Sequence, residues 1–452
     1  MKKTEMYMWN DLGRFAFLLV IVLFSSCSKD NGPGYQEPYI PQPEQKPDSL
    51  SDDELLDLVQ EKTFNYFWDF AEPNSGMARE RSQSDAYGGQ SSDIVTTGGS
   101  GFGLASFPAA VEHGWISRDE ALQRLDKILN FLETAPTYHG VYSHWYLGST
   151  AKTRAFGDYD DGGDLVETAF LMQGLLICRQ YFSDEGDIVS RITNIWKNVE
   201  WTWYTNDQNT LYWHWSPNYG FRMNMPVKGW NEALIVYVLA ASSPTYPISK
   251  EVYTQGWASN GNIVTNQSHY GISLPLGPSY GGPLFFAHYS FLGLDPRNLQ
   301  DQYANYWQQN TAHSLINYEY CVRNPENYKG YGEDAWGLTA SDNYEGYAAH
   351  SPTNDLGVIT PTAALSSFPY TPEKSMRALR HFYEDLHRDL WGEYGFYDAY
   401  SEEHNWFSNG YLAIDQGPIV TMIENYRTQL LWNLFMSNSE IQHGLDKLGF
   451  TY

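Results

Sequence analysis

The sequence predicts an all-α fold, an (α/α)6 toroid of paired helices with short β segments in its loops. Apolar residues recur at helical spacing through most of the chain beyond residue 51. Segments rich in glycine and aromatic residues, at 138–147, 210–221, 330–338 and 392–400, separate the helical stretches. The alternation of helix, aromatic loop and helix recurs without a close sequence repeat. No regular buried strand precedes each helix, which argues against a β/α barrel.

The first fifty of the 452 residues stand apart from this pattern. Lys2 and Lys3 open a basic leader that runs to Arg14, followed by an apolar run from Phe15 to Phe24 and then Ser25-Ser26-Cys27. The apolar run is too short to span a bilayer as a helix, and the arrangement fits a secretory signal. A cysteine directly after small residues predicts a lipoprotein signal peptide over 1–26, with Cys27 lipidated. Such an anchor holds a protein on a membrane without spanning it, on the outer membrane at either the cell surface or its periplasmic face. Residues 27–50, rich in Pro, Gly and Gln, read as a flexible tether. A folded domain is expected over 51–452.

Within it, Asp52-Asp53-Glu54 reads as an acidic helix start. The stretch 52–70 places Leu55, Leu58, Val59, Phe64, Phe67 and Trp68 on one stripe. After a Gly/Ser/Asp-rich loop at 72–100, helices are expected at 101–113, 117–133, 164–182, 186–204, 229–240, 282–290, 300–321, 357–367, 372–388 and 415–432. Ser117 and Glu120 form a capping-box pattern, and Pro369 and Pro372 separate two helices. Cys178 and Cys321 lie in apolar surroundings and read as buried free thiols rather than a disulfide framework or a metal motif. Nothing in the sequence signals assembly, so a monomer is expected.

The formal net charge is −26. A surface that acidic repels phosphate backbones, which excludes nucleic acid as a partner. The 16 Trp and 35 Tyr exceed what a core of this size calls for, and leave enough for a cleft that stacks on sugars. Phosphate-loop and dinucleotide fingerprints are missing, as are H-E-x-x-H and G-x-S-x-G. No cofactor or metal is expected.

Two acidic islands carry the chemistry. Asp160-Asp161-Gly-Gly-Asp164-Leu-Val-Glu167 sits at the mouth of a helix, where a spacing of three puts Asp164 and Glu167 on one face. Trp230-Asn231-Glu232 opens another helix, and an acid in the first turn of a buried helix beside Trp gains a raised pKa through desolvation. Carboxylates among indole and phenol rings are what hydrolysis of a glycosidic bond needs: a proton donor, a water activator and stacking platforms. Glu333 and Asp334, with Asp342 and Glu345 nearby, form a third acidic group read as substrate-binding. Asp415 reads as a cap or rim contact. Trp145, Tyr146, Trp213, Trp215, Trp230, Tyr289 and Trp336 form the set from which platforms are drawn. Arg79, Arg154, Arg222, His214 and His288 are candidate donors to sugar hydroxyls, with Arg222 in the best context.

The segments YDDGGDLVETAFLMQGLL (159–176), WNEALIVYVLAASSP (230–244), GGPLFFAHYSFLGLDPR (281–297), YGEDAWGLTASDNYEGY (331–347) and DQGPIVTMIENYR (415–427) add a further constraint. Over about residues 52–448 the chain resembles the glycoamylase-like domain family, which includes the bacterial endo-β-1,2-glucanases of glycoside hydrolase family 144. The leader resembles those of Bacteroidetes glycan-utilisation lipoproteins. The resemblance implies an (α/α)6 toroid, hydrolysis of β-1,2-glucan with inversion, and catalytic acids on the D-x-x-E and W-N-E motifs: Asp164, Glu167 and Glu232. Glu232 is assigned as acid and Asp164 or Glu167 as base, with the reverse left open. Asp160, Asp161, Trp145, Trp213, Trp215, Arg222, Trp230, His288, Tyr289, Glu333, Asp334 and Trp336 are the expected substrate-binding set, for a neutral oligo- or polysaccharide. An exo-acting or other-linkage hydrolase of the same fold remains an alternative. A non-catalytic glycan-binding lipoprotein is another, and would show an aromatic platform without paired carboxylates in a cleft.

Overall fold

The computed structural model describes residues 49–83 and 91–452. The leader, Cys27 and the tether through residue 48 lie outside the described residues. Helices follow in the order α1 (Asp52–Trp68), α2 (Thr97–Glu112), α3 (Arg118–Thr134), α4 (Leu165–Tyr181), α5 (Gly186–Lys197), α6 (Leu234–Ser242), α7 (Lys250–Gln255), α8 (Tyr306–Arg323), α9 (Pro361–Leu365), α10 (Pro372–Arg380), α11 (His387–Leu390), α12 (Ala413–Arg427), α13 (Leu430–Met436) and α14 (Ser439–Leu448). Between them lie short antiparallel pairings: β1 (Ile94–Thr96) with β2 (Trp145–Leu147) and that with β3 (Lys152–Arg154), β4 (Gly163–Asp164) with β5 (His214–Trp215), β6 (Val264–His269) with β7 (Ile272–Leu276), and β8 (Ala340–Asn343) with β9 (Gly346–Ala349). None of the described sheets closes into a barrel.

Burial sorts the helices into two layers. α6 and α9 are buried along their whole length, α2 from Thr97 to Ala110, and α4 from Leu165 to Arg179. Helices buried on every face belong inside. By contrast α5 buries only Ile188, Ile192, Ile195 and Trp196, and α14 only Ile441, Gly444, Leu445 and Leu448, the single stripe of an outer helix. The inner elements close a circuit. α2 packs between α12 and α4, α4 meets α6, and α6 meets the 3₁₀ turn Tyr289–Leu292. His288 Nε2 lies 3.0 Å from the Ser367 hydroxyl just past α9, and α9 packs on α12. This is the mostly helical (α/α) toroid that the sequence predicts.

The closest joint in the ring is between α2 and α4. A Cβ on Gly101 would run into the Phe170 carbonyl, and one on Gly174 into the Gly101 carbonyl. Glycine at both positions is what lets the two backbones touch.

Several expected boundaries move. Ser51, one residue before the acidic cluster, caps α1 in a full capping box with Glu54; the Ser117–Glu120 box opens α3 as expected. The 282–290 helix is instead two 3₁₀ turns, Leu284–Ala287 and Tyr289–Leu292, entered through Gly281 and Gly282 at positive φ and then Pro283. Pro361 at the first helical position sets the start of α9, which occupies only Pro361–Leu365 of the expected 357–367. The last expected helix divides into α12 and α13 at Gln429, whose φ is 65°. α7, α14 and the β6–β7 hairpin were not anticipated. Cys178 and Cys321 are buried free thiols.

Candidate active site

The inner helices begin at one place. Thr96 is the N-cap of α2, Glu167 lies in the first turn of α4, Glu232 lies two residues before α6, and Leu412 and Ile414 flank the start of α12. All five line one cavity of about 270 Å³, together with Glu80, Arg81, His144, Trp145, Phe156, Trp213, Tyr289 and Tyr347. Helix N-termini present unpaired N–H groups and positive potential, so the cavity is built to hold carboxylates.

Asp164 is fully buried and divides its two oxygens. Oδ1 accepts from the backbone N–H groups of Val166 and Glu167, both at 3.0 Å, and so caps α4. Oδ2 lies 2.9 Å from His144 Nδ1 and 3.3 Å from His214 Nε2. The β4–β5 pairing brings His214 there, since Asp164 and His214 are register partners. Asp160, also buried, lies 3.2 Å from the same His214 nitrogen. Burial alone would raise the Asp164 pKa, but the two imidazoles hold it below the usual carboxylate range. Burial would likewise lower both histidines. The surrounding carboxylates, led by Glu167 for His144 and by Asp164 for His214, instead raise them to about 9 and about 10. His144, Asp160 and Asp164 offer three ligand atoms within 4.8 Å of one another, the spacing of a cation site. The two protonated imidazoles already balance the two aspartates.

Glu167 is buried. Its Oε2 accepts from the Gly98 N–H at 2.7 Å and sits 3.5 Å from the Thr96 hydroxyl. Burial raises its pKa to about 7, opposed by His144 and the Gly98 N–H and aided by Asp164. Glu232 is half-buried, in the turn before α6 rather than in its first turn; the Asn231 side chain accepts from Ala233 N–H at 2.9 Å and holds that turn. Burial raises Glu232 to about 7 as well, with Glu167 and Asp164 adding to the shift and only its own backbone N–H opposing it.

A second acidic group stands behind the cavity wall. Asp398 accepts from Asp342 N–H at 2.7 Å, and Asp342 pairs with Arg81 at 3.0 Å. Asp415 is buried in the first turn of α12, beside Asp398. Burial raises both first; the Asp342 charge adds to the shift of Asp398 and the Asp398 charge to that of Asp415, while the contact with Asp415 pulls Asp398 back down.

Of the expected residues, Trp145, Trp213, Tyr289, Glu167 and Glu232 meet on the cavity wall, with Asp160 and Asp164 behind them. Others do not. Trp336 is fully buried and donates its indole N–H to the Lys374 carbonyl; Glu333 and Asp334 sit on the surface, each 2.8 Å from Arg377. Trp230 is packed against Phe291 and Tyr306 in the core. His288 is buried, and burial lowers its pKa to about 3. None of these five is among the residues that line the cavity. Arg79 is spent on the Phe70 and Ser92 carbonyls. Trp215 packs against His139 and Trp203, while Asp161 and Arg222 belong to two separate loops in contact with each other, Asp161 accepting from Asn218 at 2.6 Å and Arg222 lying over Tyr159 at 4.8 Å. The sequence reading passed over Glu80, Arg81, His144, Phe156, Tyr347 and Asp398. Only His144 and Asp398 carried a signal, as titratable side chains inside the aromatic segments 138–147 and 392–400.

The glycoamylase family model matches residues 224–439. An endo-β-1,2-glucanase from Chitinophaga pinensis, solved with sophorotriose and glucose, is 55% identical. It superposes with a TM-score of 0.88 over 89% of this chain and 99% of its own. An exo-β-1,2-glucooligosaccharide sophorohydrolase (non-reducing end) of Parabacteroides distasonis is 49% identical over 88% of this chain, which spans 58% of that curated relative's length. An endo-β-1,2-glucanase from Talaromyces funiculosus, at 11% identity and a TM-score of 0.62 over 87% of this chain and 92% of its own, shares the fold.

Proposed function

Because the chain belongs to the glycoamylase-like family, alongside bacterial enzymes that act on β-1,2-glucan, we propose that it is a glycoside hydrolase that cleaves β-1,2-glucan internally, with inversion. The observation that carries the hydrolytic part is the pair Glu167 and Glu232, both facing the cavity and both raised to about 7. The substrate is carried by the likeness to the Chitinophaga enzyme over nearly all of that enzyme's length.

The surroundings divide the roles. The Gly98 N–H and the His144 cation both favour the ionised form of Glu167, which suits a base that activates water. Glu232 has only its own backbone N–H as such a partner and is pushed further toward its protonated form by the charges of Glu167 and Asp164, which suits the acid that protonates the leaving oxygen. Asp164, with both oxygens occupied, is a poor base; it fixes His144 and the start of α4 instead. Trp145, Trp213 and Tyr289 supply ring surface in the cavity wall.

The test is to incubate the full-length protein with β-1,2-glucan and follow products by chromatography and polarimetry. Early release of mixed oligosaccharides with inverted anomeric configuration is expected. E167Q and E232Q should each lose about 10²–10⁴ in kcat. The Parabacteroides relative favours a second reading, release of a single disaccharide from one end, which the same chromatogram distinguishes. Binding without cleavage would sink the hydrolase reading. The leader supports attachment to a membrane through Cys27, which labelling with a radioactive fatty acid, compared between wild type and C27A, would test.

A further inference from the structure

Phe156 combines two properties that rarely meet. It lines the cavity, yet it is 52% exposed; among the described cavity-lining side chains only Tyr347, at 50%, is comparably open. One face of the ring lies against the His144 imidazole, with centroids 4.3 Å apart and planes 25° from parallel, and Trp145 packs beside it at 4.8 Å. The remaining surface faces solvent at the mouth of the cavity.

The loop that carries it is tightly held. Phe156 N–H donates to the Asp160 carbonyl at 2.9 Å, and Asp160 N–H to the Gly157 carbonyl at 3.1 Å. Tyr159 is fixed between the Tyr219 ring at 5.1 Å and the Arg222 guanidinium at 4.8 Å, and Asp161 is tied to Asn218. A single exposed phenylalanine needs no explanation. An apolar ring held half in water by a braced loop, over the imidazole that grips Asp164, is pre-organised surface.

We propose that Phe156 is a stacking platform for a glucosyl ring at the mouth of the cavity, a subsite that rests on the glucan-hydrolase reading above. A glucose ring offers an apolar C–H face and a rim of hydroxyls, and a phenyl face without a polar handle matches the former. A sugar seated there extends the Phe156–His144 stack outward by one ring, with the phenyl ring between it and the imidazole. Phe156 is thus a binding residue that also covers a positioning residue.

The experiment compares the full-length wild type with F156A, F156L and F156W, taking KM and kcat on β-1,2-glucan and the melting temperature of each. Stacking predicts that F156A and F156L both raise KM about tenfold, the value of one lost ring contact, with kcat little changed, and that F156W restores KM. Melting temperatures should stay together, since the residue is half in solvent. If F156L rescues KM as well as F156W, the ring serves only as apolar packing and the subsite is overturned. Unchanged KM in every variant, with normal wild-type turnover, overturns the subsite alone. A wild type that leaves β-1,2-glucan intact removes the glucan reading, and the subsite with it.

Discussion

His144 Nδ1 lies 2.9 Å from Asp164 Oδ2, so the carboxylate that caps α4 with one oxygen fixes an imidazole with the other. Cap and charge pair can be separated by substitution. Asn is as good a cap as Asp, so D164N should keep the cap but break the buried pair, at about 3–5 kcal/mol, and lose activity as His144 and His214 lose their anion. D164A removes both, and should cost about 1 kcal/mol more than D164N for the lost cap. Urea denaturation of the two variants reads the difference; equal destabilisation would contradict the division.

Glu167 and Glu232 both titrate near neutrality, and turnover needs one ionised and one protonated. Below about 7 the base is lost to protonation, and above it the acid is lost to ionisation. The profile of kcat/KM against pH should therefore be a narrow bell with its maximum near 7. The two limbs belong to the coupled pair rather than to single residues. A plateau from about pH 5 to 9 would rule out this pairing.

The raised pKa of Glu232 is also a statement about stability. Folding lifts it from 4.5 to about 7, so its contribution is fully present below 4.5 and is lost as pH rises through 7. E232Q removes the charge that folding resists. It should match the wild type in thermal stability near pH 5 and exceed it near pH 8, at the expense of activity. A melting curve at each pH suffices, and lower stability of E232Q near pH 8 would count against the shift.

Arg377 holds Glu333 and Asp334 at the surface, with all three side chains about half exposed. Exposed pairs contribute about 0–1 kcal/mol. R377A and the double variant E333A/D334A should each change stability by no more than about 1 kcal/mol and leave turnover of glucan at the wild-type rate. A large loss of activity would return these acids to the site.

Much of this was legible in the sequence. The long apolar runs gave the inner helices, and the D-x-x-E and W-N-E motifs gave the two cavity glutamates. The residues that fall away from the cavity share a cause. Trp336, Trp230 and His288 lie beside polar residues in sequence, but their burial is decided by what packs on them in space: Tyr318 for Trp336, Tyr306 for Trp230 and Ser367 for His288. Conversely, nothing near Arg81 marks it, and Asp398, though inside the aromatic segment 392–400, is joined to Arg81 only through Asp342, more than fifty residues from either. Phe156 was missed because a phenylalanine in a loop carries no sign of which of its faces is left open.

The contact between Gly101 and Gly174 reaches further than packing. The hydrogen bond from Gly98 to Glu167 crosses the same α2–α4 joint, so the separation of the two backbones sets where the glutamate oxygen stands. One methyl group at either glycine, pointing away from the cavity, would wedge the helices apart and shift that oxygen while every charged group stayed in the sequence. A paralogue that kept all its acids but lost one of these glycines would look competent by its motifs and turn over slowly. Inheritance of the activity therefore has to be read from two absent side chains as well as from the carboxylates.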